Sequence, residues 1–148
     1  MEFSSFAVSL QPGCRWFTLA AMVIRVTSLV LSLAGLLALI LGLLFWFGVA
    51  LQFVSLHMLL GLLTVAALWV IGVAQGLAGD GSWIFALAAI IVGAATLLLG
   101  LVQSSLMVGE LHWVVRIIHL ILGLLTIGIG HMGAARVRKS SSALTPSG

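Results

Sequence analysis

Four apolar stretches, each about as long as a bilayer crossing, restrict the fold more than any other feature of the sequence. They cover residues 27–49, 52–74, 83–105 and 111–134. A helix of about 20 apolar residues spans the hydrocarbon core, and a chain in lipid must satisfy its backbone polar groups internally, so these runs predict helices. Because the chain is 63% hydrophobic and only 6% charged, a water-soluble globule is excluded. We predict an all-α integral membrane protein, a four-transmembrane-helix bundle over residues 27–134.

The few charged side chains indicate how the chain crosses the membrane. The net charge is +3, but the cations form no basic stripe, so nucleic acid is not an expected partner. Two cations precede the first span, Arg15 and Arg25. Three follow the fourth span, Arg136, Arg138 and Lys139, and Arg116 alone lies toward the opposite side. The positive-inside rule therefore predicts cytoplasmic termini, and we expect a bacterial cytoplasmic membrane.

The two terminal segments are expected to lie outside the bundle. Residues 1–26 give no basic signal-peptide start and predict an uncleaved cytoplasmic segment, with an interfacial helix over residues 16–25. Residues 135–148 predict a basic tail that becomes disordered from Ser140. Cys14 is the only cysteine, which excludes an intramolecular disulfide.

An internal repeat relates the second and fourth spans. The pattern H-x-x-L-G-L-L-T begins at His57 and again at His119, 62 positions later. The first and third spans match more weakly, through two glycines spaced by seven in each and shifted by 58 positions: Gly35 and Gly42, then Gly93 and Gly100. The chain therefore reads as two tandem helical hairpins. Because each copy has two spans, both have the same orientation, which predicts a pseudo-two-fold axis along the membrane normal.

The repeat predicts that two histidines and two glycines share one layer of the bundle. With a rise of about 1.5 Å per residue, His57 and His119 lie roughly 8 to 12 Å below the outer ends of their helices. Gly42 and Gly100 fall at nearly the same level. A neutral imidazole is a good axial ligand for haem iron, and glycine lets a flat group approach a helix.

This layer resembles the membrane-embedded cytochromes b, in particular the first four helices of the cytochrome b subunit of quinol-oxidising complexes. In that family, histidines on helices two and four hold haem b, and glycines on helices one and three make room for it. The resemblance is architectural and covers residues 27–134. It implies one bis-histidine haem b with axial ligands His57 and His119, and room provided by Gly42 and Gly100 together with Gly35 and Gly93.

The chain departs from that family where a second haem would lie. The family has two histidines on each ligand helix, but the counterpart of His131 in the second span is Trp69, so the repeat supports one haem. Arg116, one turn outward of His119, is the candidate partner for a haem propionate. A simple contact between Arg116 and Glu110 is the competing interpretation, and His112 and His131 are expected to be interfacial.

Three functional classes remain open at this point. The first is a b-type cytochrome, or the cytochrome subunit of a larger complex, that transfers single electrons with other redox subunits or quinone; the small size favours an electron-transfer subunit over a complete enzyme. The second is a chlorophyll-type pigment-binding subunit. The third is a cofactor-free accessory or assembly subunit, in which the glycines pack helices and the histidines bond across them. In every class, Thr64 and Thr126 are expected to bond back to their own helices.

Overall fold

The computed structural model describes residues 12–78, 82–106 and 109–143, and within these the chain is helical with short turns. The helices are α1 (Pro12–Trp46), α2 (Val54–Leu77), α3 (Trp83–Val102) and α4 (His112–Ala143), with a 3-10 turn at Leu51–Phe53 before α2. Four segments are long and apolar enough to cross a membrane: Ala21–Trp46, Leu51–Leu77, Trp83–Val102 and His112–Lys139. The prediction of an all-helical integral membrane protein with four spans is confirmed.

The first and last helices extend beyond the predicted spans. The helix expected over residues 16–25 is continuous with the first span, because Pro12 starts α1 and no proline interrupts it afterwards. Helix α4 continues to Ala143, so residues 140–143, which were expected to be disordered, are helical. A helix that is already nucleated adds residues at little cost, which explains why both helices continue past the apolar region. The rest of the predicted terminal segments, residues 1–11 and 144–148, lies outside the described residues.

Local chemistry fixes where helices stop and start. Gly48 has a φ of 71°, the left-handed conformation that commonly ends a helix, and the N–H of Val49 donates to the carbonyl of Leu44 at 3.0 Å. At the start of α3, the hydroxyl of Ser82 accepts a hydrogen bond from the N–H of Phe85 at 3.3 Å, which caps that helix.

Helices α2 and α4 occupy the centre of the bundle. Each of them packs against all three other helices, whereas α1 and α3 lie at opposite corners. Small residues allow the close crossings: a Cβ built on Gly72 of α2 would lie only 2.8 Å from Cβ of Ala89 on α3. This is the usual way in which helices approach each other in membranes. The two helices that carry the repeated histidines are therefore direct neighbours.

The apolar core lies in the half of the bundle nearer to the described chain ends. It consists of Ile24, Leu31, Ala67, Leu68, Ile71, Ala89 and Ala134. Many other large apolar side chains point outward, among them Ile84, which is 83% exposed. This outward apolar surface is appropriate for lipid, because a protein in a bilayer gains nothing by hiding it. His57 and His119 lie in the opposite half, away from the packed core.

Candidate functional site: a histidine pair between α2 and α4

The structure brings His57 of α2 and His119 of α4 together. Their ring centroids are 6.3 Å apart and their planes are inclined by 59°. Both side chains are half-buried. We call these two residues the histidine pair. The two residues are 62 positions apart in the sequence, and the packing of α2 against α4 brings them together.

Helix α1 holds the His57 ring from several sides. The Nδ1–H of His57 donates a hydrogen bond of 2.9 Å to the main-chain carbonyl of Ala38. Since a carbonyl oxygen can only accept, this bond places the proton of neutral His57 on Nδ1 and leaves the lone pair on Nε2. Phe45 packs its ring against His57 at 5.4 Å between centroids. A Cβ built on Gly42 would lie 3.3 Å from Cε1 of the imidazole, so this glycine gives the ring its space.

His119 sits against the matching glycine of α3 but lacks the matching hydrogen bond. A Cβ on Gly100 would lie 3.0 Å from Cε1 of His119. Nδ1 of His119 is buried and finds no hydrogen-bond partner in the described part of the chain. The residue at the position of α3 that corresponds to Ala38 in the sequence repeat is Thr96. An unpaired buried nitrogen is costly unless another group satisfies it.

Gly35 and Gly93 lie two turns from the glycines that touch the imidazoles, at a deeper level. A Cβ on Gly35 would lie 2.9 Å from the Ile127 side chain of α4, and a Cβ on Gly93 would lie 3.1 Å from Val65 of α2. The indole Nε1 of Trp69 also contacts Gly93, and it is buried without a hydrogen-bond partner among the described residues. These two glycines therefore allow helix-to-helix contact below the histidine pair.

Arg116 lies in a separate polar cleft at the end of the bundle where α4 begins. The cleft has a volume of about 390 Å³ and is lined by Ser104, Gly109, Glu110, His112, Trp113 and Arg116. Neither member of the histidine pair lines it. Within the residues that the structure describes, no ion pair joins Glu110 to Arg116. His112 donates from Nδ1 to the carbonyl of Leu106 at 3.2 Å, which fixes its ring on the loop before α4.

His131 lies near the other end of the bundle, apart from the pair. It is exposed, and its Nε2 lies 3.4 Å from the hydroxyl of Ser32 on α1. Across residues 12–78, 82–106 and 109–143, no cluster of three or more His, Cys, Asp or Glu side chains forms a metal site. Among side chains of these types, the described part of the chain therefore offers two nitrogen ligands at the histidine pair.

Two threonines form a polar contact between α3 and α4. The hydroxyls of Thr96 and Thr126 are 2.9 Å apart, and Thr126 also donates to the carbonyl of Leu122 on its own helix. Thr64 donates to the carbonyl of Leu60. The expectation that Thr64 and Thr126 bond back to their own helices is confirmed. The contact with Thr96 and the role of the Ala38 carbonyl were missed; a main-chain acceptor has no signature in the sequence.

The histidine pair meets the simplest geometric requirement for one shared metal ion. Imidazole nitrogen binds first-row metals at about 2.0 Å, so an ion midway between two coaxial rings would hold their centroids about 6 Å apart. The observed distance is 6.3 Å. The hydrogen bond from Nδ1 of His57 to a carbonyl is the type of outer contact that orients metal-binding histidines. The donor set of two neutral nitrogens suits an iron porphyrin.

Comparison with protein-family models, with curated proteins and with solved structures gives no significant match for this chain.

Proposed function

We propose that this protein is a membrane-embedded b-type cytochrome, or the cytochrome subunit of a larger membrane redox complex, with one haem b held by His57 and His119. One observation carries the proposal: two half-buried histidines on neighbouring helices α2 and α4 whose rings are 6.3 Å apart. Histidines inside a membrane are costly and are functional candidates by default.

We further infer that the bundle consists of two tandem hairpins related by a pseudo-two-fold axis. Matching contacts support this arrangement. In each hairpin a histidine packs on a glycine, Gly42 with His57 and Gly100 with His119. Between hairpins, Gly35 meets Ile127 while Gly93 meets Val65, and Val65 and Ile127 are themselves 62 positions apart. Such an axis would pass between the two imidazoles.

The chain's own residues would bind and orient the group. The hydrogen bond from Nδ1 of His57 to Ala38 sets the tautomer of the ring, so Nε2 carries the lone pair that would bind the iron. His119 supplies the second nitrogen. When bound, the haem would supply one-electron redox chemistry, and His57 and His119 would hold it. We therefore propose that the protein transfers electrons with other membrane subunits or with quinone. We also propose that Arg116 pairs with a propionate group of the haem.

Absorption spectroscopy of the purified protein in detergent tests the proposed function. We expect the reduced-minus-oxidised bands of a low-spin b-type haem at one haem per chain. Long-wavelength pigment bands would instead indicate a chlorophyll-type subunit. If the protein stays colourless after expression with a haem supply and after incubation with haemin, the proposal is wrong, and a cofactor-free accessory role becomes the better interpretation.

A further inference from the structure

Two glycines of the repeat face open space. A Cβ built on Gly61 of α2 or on Gly123 of α4 would have no atom within 4 Å outside its own helix backbone and chain neighbours. The two residues occupy the same position in the two copies of the repeat, four residues after His57 and His119 respectively. Both are half-buried.

This open space lies on the inward faces of the two helices. At about 100° per residue, each glycine is displaced by about 40° around the helix from its histidine. The same faces carry Thr64 and Thr126, which are 6% and 1% exposed. A residue on the buried side of a helix ordinarily meets a neighbour, because protein interiors are closely packed. Gly61 and Gly123 therefore border a gap next to the histidine pair.

The glycines first predicted to make room for the cofactor have a different environment. Gly42 and Gly100 are already in contact with the imidazoles, at 3.3 and 3.0 Å from a built Cβ. The space beside these two glycines is filled by the imidazole rings of His57 and His119. The unfilled space lies one turn, or about 5.4 Å, along α2 and α4 from the histidines. That offset suits the outer part of the flat face of a macrocycle whose centre the histidine pair would hold.

We propose that Gly61 and Gly123 border the slot that receives the flat face of the tetrapyrrole ring. The inference rests on the proposed function, since it assigns the room that a haem on His57 and His119 would need. A larger side chain at either glycine would extend into that room, where an added Cβ meets no atom within 4 Å, and would exclude the ring from it.

Substitution by leucine tests this assignment, with two measurements on each variant: haem content per chain and thermal stability of the haem-free protein. Gly61→Leu and Gly123→Leu are compared with Gly128→Leu. Gly128 is also open but is exposed and lies nine residues after His119, on the opposite side of α4. We expect the first two variants to lose haem to background and Gly128→Leu to retain wild-type content. All three haem-free proteins should keep wild-type stability, because leucine is a better helix former than glycine.

The outcomes separate the slot from the proposed function. Wild-type haem content in Gly61→Leu and Gly123→Leu would overturn the slot and leave the cytochrome proposal standing. A clear loss of stability in their haem-free forms, not seen in Gly128→Leu, would also overturn the slot, because the space would then not be open. A wild-type protein that takes up no haem would overturn both. Gly61→Ala and Gly123→Ala should give a smaller loss of haem, since a methyl group fills less of the gap.

Discussion

The Nδ1–H of His57 donates a hydrogen bond of 2.9 Å to the main-chain carbonyl of Ala38. This bond links α2 to α1 and fixes the proton of neutral His57 on Nδ1. Nδ1 of His119 is also buried but has no such partner in the described structure. The two histidines of the repeat are therefore held differently: a hydrogen bond to α1 orients His57, whereas Nδ1 of His119 has no hydrogen bond of this kind in the described structure.

Removal of either histidine should eliminate the low-spin haem. We expect His57→Ala and His119→Ala each to lose the bis-histidine absorption bands, because neither ligand has a replacement at the site. His112→Ala is the control; His112 lines the same polar cleft as Arg116, and its substitution should leave the spectrum unchanged. A normal bis-histidine spectrum in His119→Ala would show that the proposed pair is wrong.

A methyl group added at either glycine that touches an imidazole should force the ring to shift and should destabilise the protein. In Gly42→Ala and Gly100→Ala the new Cβ would press on Cε1 of the adjacent ring, at 3.3 and 3.0 Å respectively. Overpacking of this kind costs about 1–3 kcal/mol. Unfolding by a denaturing detergent measures the loss. Gly128→Ala, at an open position, serves as the control and should not be destabilised; equal stability of all three variants would contradict the contacts described.

The close crossing of α2 and α3 should be equally sensitive. A Cβ on Gly72 would lie 2.8 Å from Cβ of Ala89, and Ala89 has no rotamer by which to move away. The helices must separate in Gly72→Ala, so we expect a loss of about 1–3 kcal/mol in the same unfolding assay. The effect should exceed that of Gly128→Ala. A double variant with Ala89→Gly should recover much of the loss, and failure to recover would argue against this contact.

The stability contributed by the threonine contact between α3 and α4 can be measured apart from that of a threonine hydrogen bond within one helix. Thr126→Val removes the 2.9 Å contact with Thr96, and hydrogen bonds between membrane helices are worth about 0.6 kcal/mol on average and at most about 1.7. Thr64→Val is the matched control from the first copy of the repeat, because Thr64 donates only to Leu60. We expect Thr126→Val to be the more destabilised. A double-mutant cycle with Thr96→Val should show coupling, and additive effects would contradict the bond.

The distribution of charge predicts the membrane orientation, and fusions at both ends test this prediction. Four spans place the two ends on one side, and Arg25, Arg136, Arg138 and Lys139 lie toward it. We expect a fluorescent protein fused to either terminus to be bright, and alkaline phosphatase fused there to be inactive, as for cytoplasmic locations. Active phosphatase at either terminus would show that the orientation is inverted or that the number of spans is odd.

The sequence by itself determined the class of fold and the candidate ligands. Apolar runs of bilayer length leave helices as the available structure, because lipid offers no hydrogen bonds to an open backbone. The repeat was equally readable, since a histidine, a glycine and a threonine recur at fixed offsets around His57 and His119. Helix ends were less predictable: hydropathy marks where the lipid ends, whereas a helix continues as long as its backbone bonds are favourable, as α4 does to Ala143.

Only the tertiary structure decided what each repeated residue touches. Packing of α2 against α4 brought the imidazoles to 6.3 Å, and packing of α1 against α2 gave His57 the Ala38 carbonyl. The same packing filled the space at Gly42 and left Gly61 open, although both are glycines near a histidine in the sequence. A sequence pattern fixes the spacing along one helix, but the distance between helices depends on every side chain at their interface, and that distance determines whether a glycine holds a ring or borders a gap.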